Sequence, residues 1–231
     1  MYIRSARIYD AIYGGLDYSG SARRVDEHIQ RLAPGARDLL DVGCGTGRHL
    51  ERLREHYAVE GVDLNDELLT MARRRLPGVP LHTADMTEAE LGRRFDVVIC
   101  LFSAIAYVRT ADRLRAAVAR IAGHLRPGGV ALVEPWFTPQ TYWPGHLVAN
   151  FHDEPDLRVA WMYVHDRRDE LSVLDIQFLV GRPEGIEHFS ERHELGLFTD
   201  AQYRAAFTDA GLRVEHDPEG LWGRGLYLAT A

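Results

Sequence analysis

Nine residues, Leu39-Leu40-Asp41-Val42-Gly43-Cys44-Gly45-Thr46-Gly47, set a carboxylate two positions ahead of three alternating glycines. A helical stretch starts near Arg48. Glycines so spaced let a strand turn sharply into a helix and let a ligand rest on bare backbone. The chemistry then depends on the charge of that ligand. A dinucleotide fingerprint runs Gly-x-Gly-x-x-Gly and aims a helix N-terminus at a pyrophosphate. Here the spacing is Gly-x-Gly-x-Gly, and Asp41 would repel a pyrophosphate while attracting an ammonium or a sulfonium.

S-adenosyl-L-methionine carries both cations, an adenosine and no phosphate, and three further segments fit it. Asp63 ends Val59-Glu60-Gly61-Val62, where a carboxylate reaches the vicinal hydroxyls of a ribose. Nicotinamide and flavin folds use the same device, and an N-cap for the next helix is a plainer role, although Asn65 or Asp66 suits it better. Asp85-Met86 ends Leu81-His82-Thr83-Ala84. An acid there can accept adenine amino hydrogens, and a thioether packs well on a purine face. Leu101-Phe102-Ser103 leaves the run Phe95–Cys100 where the reacting methyl group is expected. Asp41, the glycines, Asp63, Asp85 and Asp96, in that order, read as a methyltransferase. A nicotinamide enzyme and a binding protein without catalysis stay as alternatives.

The elements that must hold these residues alternate strand and helix. Strands are expected near 38–42, 58–62, 80–82, 95–101 and 129–134, with helices near 47–56, 65–76 and 111–125. Such alternation predicts an α/β, Rossmann-like sheet, mostly parallel and covered on both faces, with ligands at the carboxyl ends of its strands. Two late strands, 212–217 and 224–230, bring it to seven, after a helix over 200–210 capped by Thr199 and stopped by Gly211. Between them, extended segments 147–153, 157–166, 171–181 and 186–197 predict an inserted antiparallel layer. The organisation expected is one domain, 1–231, with a helical cap over 1–35 and an inserted antiparallel β subdomain over 135–198.

Composition narrows the partners. A net charge of −7 argues against nucleic acid as the bulk substrate. No apolar run approaches the roughly 20 residues of a membrane span, and the N-terminus lacks a signal-peptide core, so a cytoplasmic protein is expected. All 27 basic residues are arginine, which leaves no lysine for Schiff-base chemistry. Cys44 and Cys100 read as small buried thiols, and no metal site is expected among the 11 histidines.

Further segments carry a closer likeness: Tyr9-Asp10, Asp17-Tyr18, His49-Leu50, Phe102-Ser103, Glu134-Pro135-Trp136, His188-Phe189-Ser190, Ala205-Ala206-Phe207, Ala210–Glu215 and Gly223-Arg224-Gly225-Leu226. With the glycine loop and Asp85-Met86, they make the chain resemble the nucleotide-linked amino-sugar N,N-dimethyltransferases that finish desosamine- and mycaminose-type sugars. The resemblance implies double methylation of an amine on a dTDP-deoxysugar, and a homodimer. It implies that Tyr9 and Tyr18 line the cofactor side, with Gly43, Gly45, Gly47, Asp63, Leu64, Asp85, Met86 and Leu101 holding S-adenosyl-L-methionine. Trp136 and Arg224 would face the sugar nucleotide, the arginine fork suiting a diphosphate. Tyr107 falls near the acceptor amine, and its hydroxyl, with that of Tyr2 or Tyr18, would orient the amine and relay its proton. A different small acceptor, methylated on oxygen or nitrogen, is the competing reading.

Overall fold

The computed structural model describes residues 2–231. A 3₁₀ turn, Ser5–Ile8, leads into α1 (Tyr9–Tyr13) and α2 (Tyr18–Leu32). Then follow β1 (Asp38–Val42), α3 (Arg48–Leu53), β2 (Ala58–Asp63), α4 (Asp66–Arg75), β3 (Leu81–Thr83) and β4 (Phe95–Cys100). A second 3₁₀ turn, Ala104–Val108, precedes α5 (Ala111–Gly123) and β5 (Leu125–Val133). The later elements are β6 (Leu147–Glu154), β7 (Leu157–Arg168), β8 (Leu171–Arg182), β9 (Gly185–Gly196), α6 (Asp200–Asp209), β10 (Arg213–Asp217) and β11 (Leu226–Thr230).

Seven strands form one sheet in the order β10-β11-β5-β4-β1-β2-β3, mostly parallel, with β11 antiparallel to both neighbours. β6 to β9 make a separate antiparallel meander. The class expected from the alternation is therefore the one observed. β1 is buried along its whole length, as a central parallel strand covered on both faces must be. α5 and α6 pack through Leu114, Val118, Ile121 and Phe207 on one face, and α2, α3 and α4 through Val25, Ile29, Leu50, Leu53 and Leu69 on the other. The order reverses between β1 and β4, so the loops leaving those two strands diverge and open a crevice.

Local chemistry sets the element ends. Thr199 and Gln202 form a reciprocal capping box on α6, and Asn65 caps α4 by accepting from Glu67 N–H and Leu68 N–H. α2 begins at Tyr18, earlier than its apolar periodicity indicates, because Asp17 accepts the Gly20 N–H at 2.8 Å. β11 begins at Leu226 rather than 224, since Gly223 and Gly225 take positive φ before it. The 3₁₀ turn Ala104–Val108, unforeseen in the sequence, carries Tyr107 toward the second sheet. Ile8 and Ile12 pack against that sheet's inner residues Val159, Ile176, Phe178 and Leu195.

Candidate active site

At the carboxyl ends of β1 to β4 lies a cavity of about 480 Å³, lined by Tyr2, Tyr9, Gly43, Gly45, Asp63, Leu64, Asp85, Met86, Leu101 and Tyr107, among others. Gly43 and Gly45 have φ of +80° and +55°, and a Cβ on Gly43 would lie 2.6 Å from the Ala104 methyl. Only bare backbone fits between β1 and the turn after β4. The Gly45 N–H donates to Asp63 at 2.7 Å and the Asn65 N–H at 2.8 Å, so the loop and the end of β2 hold each other. Each carboxylate oxygen keeps a lone pair for a ligand hydroxyl. Asp85 accepts from the backbone and hydroxyl of Thr87, both at 2.8 Å, and pairs with Arg113 at 2.6 Å.

Asp41 and Tyr18 do not reach this cavity. They line a small side pocket of about 30 Å³, which shares Tyr9, Gly43, Leu101 and Phe102 with the larger one. Asp41 is 3 % exposed. Burial first, and then the nearby Asp63 charge, push its carboxyl up to about 8. A buried carboxylate with no counter-charge, in a pocket the size of one small group, fits the ammonium of S-adenosyl-L-methionine. Gly47 lies in neither pocket. It caps α3 at φ +76°, where a Cβ would lie 2.7 Å from Leu76, so its role is packing of the loop. Asp96 stands at the opposite end of its strand, accepting from the Arg37 N–H at 2.8 Å and from Arg126 at 2.7 Å. It is a structural acid.

A second cavity, of about 340 Å³, opens between the N-terminal helices and the inner face of the antiparallel sheet. Its walls include Trp136, Trp161, Tyr163, Phe178 and Ile176, with Ser103 and Asn150 as polar points. Tyr2, Phe102 and Tyr107 line both cavities and form their shared wall. The Tyr2 hydroxyl hydrogen-bonds Tyr13 at 2.8 Å, and that of Tyr107 hydrogen-bonds His193 Nδ1 at 2.7 Å. Burial raises all of these phenols, Tyr13 to about 12, which keeps them neutral.

Arg224 is placed differently from the expectation of a free phosphate fork. It lines the second cavity, but its Nη2 donates to Glu134 at 2.6 Å, and its guanidinium lies 5.7 Å from the Trp136 ring. Glu134 is fully buried, and its other oxygen accepts the Phe102 N–H at 2.6 Å. That bond holds Phe102 and Ser103, both at positive φ, in the turn that leaves β4. One end of the guanidinium is thus taken by Glu134, while its Nε has no hydrogen-bond partner. Sequence reasoning also missed Glu191 and His193, which alternate with Phe189 and Leu195 on the buried face of β9. Two polar residues at inward positions of an alternating strand were the available signal.

A family model described as a methyltransferase domain matches residues 39–129. A Streptomyces venezuelae enzyme named dTDP-3-amino-3,4,6-trideoxy-alpha-D-glucopyranose N,N-dimethyltransferase is 41 % identical over 97 % of both chains. The chain belongs to this family of sugar N,N-dimethyltransferases. A Saccharopolyspora spinosa relative, named for dTDP-4-amino-2,3,4,6-tetradeoxy-D-glucose, is also 41 % identical, covering 96 % of this chain and 91 % of its own. The S-adenosylmethionine-bound structure of CalS10, an amino pentose methyltransferase from Micromonospora echinaspora, superposes with a TM-score of 0.89. It is 39 % identical and covers 100 % of this chain and 98 % of that one. Among the described residues no cluster fit to hold a metal occurs, and no helix is long and apolar enough to cross a membrane.

Proposed function

We propose that the chain transfers methyl groups from S-adenosyl-L-methionine, twice, to the amine of a dTDP-linked deoxy amino sugar in antibiotic or related secondary metabolism. The observation that carries this is the shared wall: a cavity lined as the cofactor requires meets an aromatic cavity at Tyr2, Phe102 and Tyr107. When bound, S-adenosyl-L-methionine supplies an electrophilic methyl on a sulfonium. Gly43, Gly45, Asp63, Leu64, Asp85, Met86, Leu101 and Tyr9 would hold it, with Asp41 on its ammonium and Tyr18 beside that carboxylate. Trp136, Trp161 and Tyr163 give the acceptor flat apolar surfaces to stack on.

Displacement at a methyl group needs a neutral amine held in line, and held geometry can supply about 7–11 kcal/mol of the barrier. Tyr107 and Tyr2 stand at the junction to orient that amine. Because Arg224 is neutralised by Glu134, recognition of the diphosphate does not rest on that residue as a free cation. A nucleotide-linked metabolite of this kind supports a cytoplasmic location. The exposed apolar face of the second sheet supports pairing with a second copy.

The deciding experiment gives the protein S-adenosyl-L-methionine with dTDP-linked 3-amino and 4-amino deoxysugars, and follows product mass. Sequential gains of one and then two methyl groups are expected on one regiochemical series. Cofactor binding without any product would retain the methyltransferase and discard the sugar.

A further inference from the structure

The tyrosines at the junction cannot be the last stop for the amine's proton, because burial keeps every one of them neutral. Beside Tyr107, at the wall of the second cavity, stands His193, 1 % exposed, and Glu191, 8 % exposed, faces the far side of its ring. We propose that His193 and Glu191 are positioning residues: together they fix the Tyr107 hydroxyl as a donor and receive, through it, the proton that leaves the acceptor amine. This rests on the amino-acceptor reading above.

The arrangement follows from hydrogen-bond bookkeeping. Glu191 Oε1 accepts the Ile3 N–H at 3.1 Å and the Ser5 N–H at 2.8 Å, and Oε2 accepts from the Ser5 hydroxyl. A carboxylate so supplied with donors stays ionised. Its Oε2 faces His193 Nε2 at 3.5 Å, and that nitrogen has no hydrogen-bond partner of its own. An anion there favours the proton on Nε2, which leaves the lone pair of the neutral ring on Nδ1. The Tyr107 O–H, 2.7 Å away, must then donate to Nδ1, and the tyrosine oxygen is free to accept from an ammonium in the cavity. Tyr2, itself neutral, lies edge-on to the ring at 4.6 Å; burial lowers the basicity of the imidazole, and the Glu191 charge opposes that shift.

In the step, an ammonium N–H breaks as an O–H forms on Tyr107, and the former Tyr107 O–H breaks as an N–H forms on His193. The ammonium becomes a neutral amine, the imidazole an imidazolium opposite Glu191, and the tyrosine is unchanged. Each methyl transfer leaves a cationic nitrogen, so the second methylation calls on the relay again. Between rounds the step runs in reverse: an N–H on His193 Nδ1 breaks as an O–H forms on Tyr107, and the Tyr107 oxygen gives up a proton to solvent in the cavity.

The first test needs no variant and no substrate. Imidazole ¹⁵N spectra of the wild-type protein should show His193 as the Nε2–H tautomer, with its Nδ1 signal moved in Tyr107→Phe. An Nδ1–H tautomer would overturn the proposal. For turnover, His193→Gln is compared with wild type after calorimetry shows intact cofactor binding. We expect kcat near neutral pH to fall about tenfold or more, within the range for positioned proton transfer, with KM little changed. The deficit should shrink as rising pH deprotonates the amine unaided. A variant whose kcat follows wild type across that pH range overturns the relay. Wild-type protein inactive on every amino sugar would instead refute the substrate, and the tautomer measurement would still decide the geometry.

Discussion

Asp41 is a buried carboxylate lacking a counter-charge, and its ionisation should report the arrival of one. Its carboxyl sits at about 8, against an ordinary value of about 3.9. An acid whose pKa is raised by folding holds its proton in the native state, so the stability of the free protein should decline as pH rises from about 4 toward 8. Binding an ammonium favours the ionised form. Near neutral pH, cofactor binding is therefore expected to release close to one proton, and less above pH 8. Calorimetry in buffers of different ionisation heat measures this; zero release would detach Asp41 from the ammonium. Asp41→Asn should abolish the release and weaken binding by tenfold or more, about 1.4 kcal/mol per decade. The buried Glu134–Arg224 pair predicts a different result. Arg224→Ala strands a fully buried charge and should cost about 3 kcal/mol in urea unfolding. Adding Glu134→Gln to that variant should recover part of the loss, because the two sites share one interaction. Full additivity would mean the pair carries no coupling.

At the scale of elements, the N-terminal segment is fastened both to β9 and to the main-sheet loops, where the Asn65 side chain donates to the Tyr2 carbonyl and Asp10 pairs with Arg48 and Arg75. Glu191 binds Ile3 and Ser5, while Arg4 and Arg7 both pair with Glu187. The bonds from Ser5 and Ile3, with His193 facing the same carboxylate, outweigh burial and hold the Glu191 carboxyl down at about 2. A depressed acid stabilises above its unfolded value, about 4.3, and that contribution is lost as pH falls from there toward 2. Amide exchange at Ile3 and Ser5 should accelerate over that window before the main sheet opens, and Glu191→Gln should abolish the pH dependence. The caps that shape the helices are local, so Thr199, Asn65 and the glycine loop were readable along the chain. Tyr2, Tyr107, Trp136 and Arg224 of the second cavity came through the family likeness, but the partners that hold them did not. Tyr107 meets His193 across 86 positions and Arg224 meets Glu134 across 90, and no spacing rule links residues so distant. Asp96 belongs to the order of acids that reads as a methyltransferase, but only the packed sheet shows it at the amino end of β4, away from the crevice. Arg224 does line the second cavity, but its pairing with Glu134 was not foreseen, because that contact is a property of the packed sheet.

Taken whole, the molecule covers both faces of one sheet and a single face of the other. Along β7, Trp161 and Tyr163 line the second cavity, while Met162 and Val164 alternate outward. The outward residues join Leu147, Phe151 and Leu179, each about half exposed or more, into an apolar surface across β6 to β8. Apolar patches of that extent mark contact sites, and a second copy related by a two-fold axis presents the same surface in return. Wild-type protein should sediment as a dimer. Replacing Met162 and Leu179 together with glutamate should yield a folded monomer, since both side chains already stand in solvent and no core contact is lost. The same strands wall the second cavity from their inner face, so, on the proposal that the amino sugar binds there, loosening the outer face should raise its KM while cofactor affinity, set at the distant ends of β1 to β4, holds. A wild-type monomer with full activity would rule out pairing through this face, and a double variant that loses cofactor binding would show that the two sheets are not independent.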